Sequence, residues 1–197
     1  MPDPGGISAI VLAAGASRRF GSDKLLHPLT RKGMTLPLAA HSLRPWLETF
    51  DAITVVVRPD SAAFCTAIDA ALGATIRYVV CADAGQGMAA SLAAGVHANP
   101  EAAGWLIGLA DMPAIPSIAI AGVRDALLAG AKLAAPFCDD RRGHPVGFSN
   151  TYRAALLSLQ GDNGAREILS RDKIIHFKIN DKGIFTDIDT LGDLQRL

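Results

Sequence analysis

The sequence of 197 residues predicts an α/β fold: a mostly parallel sheet with helices on both faces. Three observations carry that prediction. Short apolar runs alternate with longer helix-like segments along the chain. The first run, Ile7 to Leu12, opens directly into a small-residue loop rich in cations. A later run, Trp105 to Ala110, ends on a carboxylate, Asp111, followed by Met112-Pro113. Ligands of such sheets sit outside the carboxyl ends of the strands, which places both features on one edge.

Each element has its own signal. After the opening loop, Thr35 to Leu47 reads as a helix with Pro37 in its first turn. Ala52 to Val57 is a β-branched run, so a buried strand. Ser61 is placed to cap a helix running to Leu72. Ile76 to Cys81 is a third strand, Ala84 to Gly87 a turn and Met88 to Ala98 an Ala-rich helix. Trp105 to Leu109 is the fourth strand, Pro116 to Ala129 a helix, and Lys132 to Phe137 the fifth strand. Asp139 to Gly143 forms a charged turn, and Pro145 to Ser149 a strand that can run antiparallel. Asn150 to Leu159 and Ala165 to Ser170 are helical, and Ile174 to Ile179 and Phe185 to Ile188 are strands. Thr190 caps a closing helix to Leu197, with Asp193 at its third position. No repeat or linker interrupts the pattern, so one domain over residues 1–197 is expected.

Composition narrows the function. Half of the residues are hydrophobic and the formal net charge is +0, which argues against a nucleic-acid partner. No apolar segment is long enough to span a membrane. The first six residues lack the basic and apolar regions of a signal peptide, so a cytoplasmic protein is expected. Cys65, Cys81 and Cys138 are odd in number and widely spaced, giving neither a disulfide framework nor a zinc site. His27, His41, His97 and His176 stand alone and receive no role.

The organising stretch is Leu12-Ala13-Ala14-Gly15-Ala16-Ser17-Arg18-Arg19-Phe20-Gly21-Ser22-Asp23-Lys24. Small residues let backbone N–H groups approach anionic oxygens, an Arg can fork onto phosphate, and Lys24 adds a point charge. The spacing excludes a Walker A loop, because Ser22-Asp23 separates Gly21 from Lys24. It also excludes a dinucleotide fingerprint, which Gly15-Ala16-Ser17 fails. Asp111, at a strand end, is suited either to holding Mg2+ against phosphate or to capping the turn before Pro113. A second oxygen ligand would come from Asp187 or Asp189, between which the spacing does not choose; Asp189 and Thr190 can equally cap the last helix. Gly85-Gln86-Gly87 leads into a helix carrying Ser91, a pattern suited to a base edge and a ribose hydroxyl or to a plain helix start.

Leu-Ala-Ala-Gly-x-Ser-x-Arg-Phe-Gly-x-x-Lys resembles the signature loop of the molybdopterin nucleotidyltransferases, within the nucleotide-diphospho-sugar transferase-like superfamily. Ala14 and Phe20 resemble the branch that uses CTP rather than GTP. The likeness extends over nearly the whole chain. Leu109-Ala110-Asp111-Met112-Pro113 is similar to the family's metal-binding strand end, and Asp187-Ile188-Asp189-Thr190 to its ending, with Leu191 where the family has Pro. Arg142-Gly143-His144-Pro145-Val146 and Gly161-Asp162-Asn163-Gly164-Ala165-Arg166 are similar to two further family segments.

The resemblance implies a three-layer, Rossmann-like fold and Mg2+-dependent transfer of CMP from CTP to molybdopterin cofactor, with pyrophosphate leaving. Arg19 and Lys24 would hold the triphosphate and Asp111 the metal, with Asp187 or Asp189. Leu12, Ala13, Ala14, Gly15, Ser17, Gln86, Gly87 and Ser91 would meet the nucleotide; Arg142, His144, Gly164 and Arg166 would meet the acceptor. A transient contact with a molybdoenzyme or its chaperone would follow. The rivals are a GTP-using relative, an enzyme with a sugar or polyol phosphate acceptor, and a non-catalytic chaperone that binds nucleotide or cofactor.

Overall fold

The computed structural model describes residues 5–15, 20, 23–73 and 76–197. Its centre is an eight-stranded sheet in the order β10-β7-β9-β6-β1-β4-β5, with β8 paired to β7. Here β1 is Ile7–Leu12, β4 Ile53–Val57, β5 Ile76–Val80, β6 Gly104–Leu109, β7 Leu133–Cys138, β8 Arg141–Arg142, β9 Val146–Ser149 and β10 Ile175–Lys178. β1 pairs parallel with β4 and β6, β4 with β5, and β7 with β10. β9 runs antiparallel between β6 and β7. The mostly parallel α/β architecture expected from the alternation of runs is the one observed.

Alternation along the strands sorts two cores. Ala9 and Val11 face one layer, with Leu38, Leu43 and Trp46 of α1 (Leu38–Leu47), Phe64 and Ile68 of α2 (Ala62–Leu72), and Ile120 and Val123 of α4 (Ser117–Leu128). Ile10 and Leu12 face the other, with Leu92 and Val96 of α3 (Met88–His97), Leu156 of α5 (Arg153–Leu157) and Ile168 of α6 (Arg166–Arg171). Gly108 is small for a packing reason: a Cβ there would run into the Trp46 ring.

Four expectations are corrected. Thr35 to Pro37 is not helical: Pro28–Arg31 (β2) and Met34–Pro37 (β3) form an antiparallel hairpin, and α1 starts at Leu38. Lys32 and Gly33, both at positive φ, make its two-residue turn, the geometry that tight hairpins favour. Phe185 to Ile188 is not a strand: Lys182–Phe185 is a 3-10 turn opened by Asp181, whose side chain accepts from the Gly183 N–H. The segment after it, through Ile188, has no regular structure, and Ile184 and Ile188 are buried. Thr190 and Asp193 form the expected capping box, but on a 3-10 helix, Leu191–Arg196. Ser61 precedes α2 without a side-chain cap bond.

Candidate active site

Sheet topology brings the separate motifs to one edge. The Ala13 N–H donates to Val56 O, and the Ala110 N–H to Leu12 O, so the chain leaving β1 stays seated between β4 and β6. Phe20 is buried and meets His27 edge-on, 5.3 Å between centroids. Lys24 opens a 3-10 turn, Lys24–Leu26, whose position is held by His27 and α1: the Leu38 N–H donates to His27 O. The hairpin braces the facing loop, because Arg31 donates to Pro113 O at 2.7 Å.

The resulting cavity holds about 410 Å3. Leu12, Ala13, Ala14 and Gly15 form one wall; Gly85, Gly87, Met88 and Ser91 form another; Lys24 and Asp111 stand at one end. Its size suits a small-molecule ligand. The Lys24 side chain is only 8% exposed, and its Nζ donates to Asp111 Oδ2 at 2.8 Å and to Asp189 Oδ1 at 3.4 Å. Burial raises the Asp111 pKa, Lys24 opposes that rise, and the charge of Asp187 adds to it. Asp189 therefore shares Lys24 with Asp111, while Asp187 is exposed and acts on Asp111 through its field. The Ile188 N–H donates to Asp111 O, which ties the two carboxylate segments together.

A divalent cation fits this cluster. Asp111 Oδ1 is buried without a hydrogen-bond partner. Among the described residues no three His, Cys, Asp or Glu side chains form a ready metal cage. That leaves room for a hard divalent cation held by one or two carboxylates, its remaining positions taken by water and phosphate oxygens.

Gln86 is the one described member of the expected nucleotide set that does not line the cavity: its amide donates to Asp83 Oδ1 at 3.2 Å. Gly87 does line it, at φ 109, and Gly161 lies against it. A Cβ at Gly87 would meet the Gly161 backbone at 2.6 Å, and the Ala89 N–H donates to Gly161 O. That contact carries Asp162 into the cavity wall, a residue that sequence spacing did not single out for the nucleotide side. Ser17 and Arg19 lie outside the described residues.

The residues expected to meet the acceptor gather farther along the same edge. Burial lowers the Arg142 pKa, with Arg166 repelling it, and Arg142 Nη1 is buried without a partner. His144 is half-buried, with its Nδ1 buried and unpaired; burial and the charge of Arg142 push its pKa down to about 4. The backbone N–H of His144 donates to Ile184 O. Gly164 is at φ 51 against Met88, just before α6. The arrangement is two cations and a neutral imidazole, with no ion pair to an acid among the described residues.

The sheet edge thus carries a lysine–carboxylate cluster and a cavity lined in part by Gly15, Gly85 and Gly87. Residues 9–175 match the family described as MobA-like NTP transferase domain, and the chain belongs to that family. A crystal structure of Rv0371c from Mycobacterium tuberculosis is similar over 98% of this chain and 97% of its own, with 27% identity and a TM-score of 0.81. A manganese complex of the same protein matches with 25% identity, a TM-score of 0.76 and the same coverage of both chains. Molybdopterin-guanine dinucleotide biosynthesis protein A from Archaeoglobus fulgidus shares the fold, with 19% identity, a TM-score of 0.65, and 96% and 95% of the two chains covered. A search of curated proteins finds no match. Among the described residues no helix is long and apolar enough to cross a membrane.

Proposed function

We propose that this chain is a molybdenum cofactor cytidylyltransferase, transferring CMP from CTP to the phosphate of molybdopterin cofactor with Mg2+. The carrying observation is Lys24, buried between Asp111 and Asp189 and lining a cavity together with residues 12–15, Gly85 and Gly87. An acceptor phosphate oxygen attacks the α-phosphorus. The new P–O–P bond forms as the bond to the β-phosphate oxygen breaks, and pyrophosphate leaves. No protein nucleophile is needed, so the chain supplies position and charge.

Leu12 to Gly15 face the nucleotide, and Ser91 accepts or donates at the ribose. Lys24, with Arg19, balances charge on the leaving phosphates. Asp111 with Asp189 would hold Mg2+, Asp187 adding negative field. The ion, when bound, neutralises phosphate oxygens around the reacting phosphorus. Arg142 and Arg166 attract the acceptor's phosphate, and His144, neutral at physiological pH, offers Nδ1 as a hydrogen-bonding partner. We place the reaction in the cytoplasm, with product handed to a molybdoenzyme or its chaperone.

The test is pyrophosphate release with Mg2+ and molybdopterin cofactor, comparing CTP, GTP, ATP and UTP. Release with CTP alone supports the proposal. Release with GTP alone reassigns the donor, and release with a polyol phosphate in place of the cofactor reassigns the acceptor. Nucleotide binding with no release under any condition supports the carrier reading.

A further inference from the structure

A second cavity, of about 370 Å3, lies at the carboxyl ends of β7 and β10 and is not used by the reaction as described. Phe137, His176, Lys178, Asn180, Asp139 and Asp140 line it. Phe137 and His176 stack face to face, with centroids 3.6 Å apart and planes 17° apart. His176 is exposed, so the stack ends in an open ring face. Asp139 and Asp140 form the two-residue β7–β8 turn, at φ 49 and 59. Asp tolerates that left-handed conformation better than most side chains.

The position of this cavity gives it meaning. Along the edge, β6 ends before Asp111, β9 begins after His144-Pro145, β7 ends before Asp139, and β10 ends before Asn180. Neighbouring strands are about 4.8 Å apart, so the aromatic stack lies roughly 10–14 Å from the Asp111 end. His144 and Arg142 stand between. Arg142 is directly opposite Phe137, and Phe137 registers with Lys178, so all three share one sheet face. Passing outward, a ligand meets the carboxylate cluster, then unpaired cations, then an aromatic floor with a carboxylate rim.

We infer that the β7–β10 cavity takes a flat, amino-substituted heterocycle belonging to the acceptor, several bonds removed from the phosphate that Arg142 and Arg166 receive. This rests on the nucleotidyl-transfer reading. The ring lies on His176, which is supported from beneath by Phe137. The Asp139 and Asp140 carboxylates accept from ring N–H and exocyclic amino groups, and Asn180 supplies both a donor and an acceptor. A sugar or polyol phosphate satisfies the cations but has no flat face for the stack.

The probe is free pterin, a fluorescent 2-amino-4-oxo bicycle without phosphate, with glycerol 3-phosphate as the ring-free control. Pterin fluorescence is quenched saturably by the wild-type chain, and glycerol 3-phosphate leaves that binding intact. His176→Ala, at an exposed position, weakens pterin binding at least about fivefold, the lower range for loss of one stacking aromatic. Phe137→Leu weakens it in the same direction. The same His176→Ala raises the KM of a ring-bearing phosphate acceptor by a similar factor and leaves the affinity for CTP unchanged. Absence of saturable quenching in the wild type, or equal quenching in both variants, overturns the inference. If pyrophosphate release proceeds but the acceptor KM ignores His176→Ala, the inference falls and the transfer reading stands. If the variants lose pterin while no nucleotide releases pyrophosphate, the transfer reading falls and the heterocycle site stands.

Discussion

At the ends of β1 and β6 the charges are matched to one another; at the end of β7 and the start of β9 they are not. Lys24 is buried but bonded to two carboxylates. Arg142 is half-buried beside another cation, and both it and His144 bury a nitrogen with no partner. A buried polar atom left unpaired costs about 1–3 kcal/mol, so the two halves sit under different constraints. The first half is set up by the protein's own side chains. The second carries a positive field that an anion would relieve. Under the proposed function, a polyphosphate with its metal would enter the first half without undoing a large excess charge, and the second would favour an anionic acceptor. The asymmetry is itself open to attack by substitution.

The largest effect is expected at the matched half. Asp111→Asn leaves Lys24 with Asp189 alone and removes the charge that would face a metal. Pyrophosphate release should fall about 10²–10³-fold, the scale seen when one preorganised charge partner is lost. Nucleotide binding should survive, since residues 12–15 and 87 are untouched. Steady-state kinetics beside equilibrium binding separate the two; a variant with unchanged turnover breaks the assignment of the matched half to chemistry.

Next comes the unmatched half, read through stability. The native pKa of His144 is pushed down to about 4, below its ordinary value near 6.5. A depressed imidazole takes up its proton more readily when unfolded. Its contribution is therefore neutral above pH about 6.5 and increasingly destabilising as pH falls toward 4. The full difference is about 3 kcal/mol. Urea unfolding of the wild type and His144→Gln at pH 7.5 and 4.5 measures it: the variant should lose less stability on acidification. Equal losses would mean that His144 is not held neutral in the folded chain.

How much of this asymmetry is legible before folding depends on the kind of information involved. β1 was readable with its observed bounds because Ile7 to Leu12 is an uninterrupted apolar run ending at small residues. Asp111 and its edge followed from topology. The hairpin was not read because Leu36 and the apolar positions after it continue smoothly into α1, hiding the Lys32-Gly33 turn that was its only local signal. Phe185 to Ile188 misled by composition: Ile184 and Ile188 are buried from an irregular segment that begins with the Asp181–Gly183 turn. Asp162 entered the cavity wall through the docking of Gly161 on Gly87, a long-range contact with no spacing rule. His176 looked isolated in sequence because its partner, Phe137, lies on another strand.

Arg142→Gln sharpens the comparison on the acceptor side. The change removes one charge from a pair whose members already repel, so the fold should tolerate it. The acceptor's KM should rise about thirtyfold, in line with the loss of a charge-assisted hydrogen bond, while the KM for CTP stays put. Equal rises in both constants would show that the two halves of the edge do not bind separately.

The smallest effect is expected where the matched half meets the base. Ala14 is 5% exposed and lines the cavity, so its methyl group occupies space that a nucleotide base would approach. A pyrimidine leaves room for that methyl; a purine, with its second ring, competes for it. Ala14→Gly should therefore lower the CTP-to-GTP ratio of kcat/KM about tenfold, near the lower limit of what one methyl group discriminates. The change should come from improved use of GTP, because removing a methyl takes nothing from cytosine except a contact. A ratio lowered through poorer use of CTP would point instead to a looser backbone at residues 13–15, since glycine also gives the chain freedom that Ala14 denies it. Measuring kcat/KM for both nucleotides separately, with the same acceptor, decides between a steric filter in the cavity wall and a loss of preorganisation in the loop that holds the phosphates.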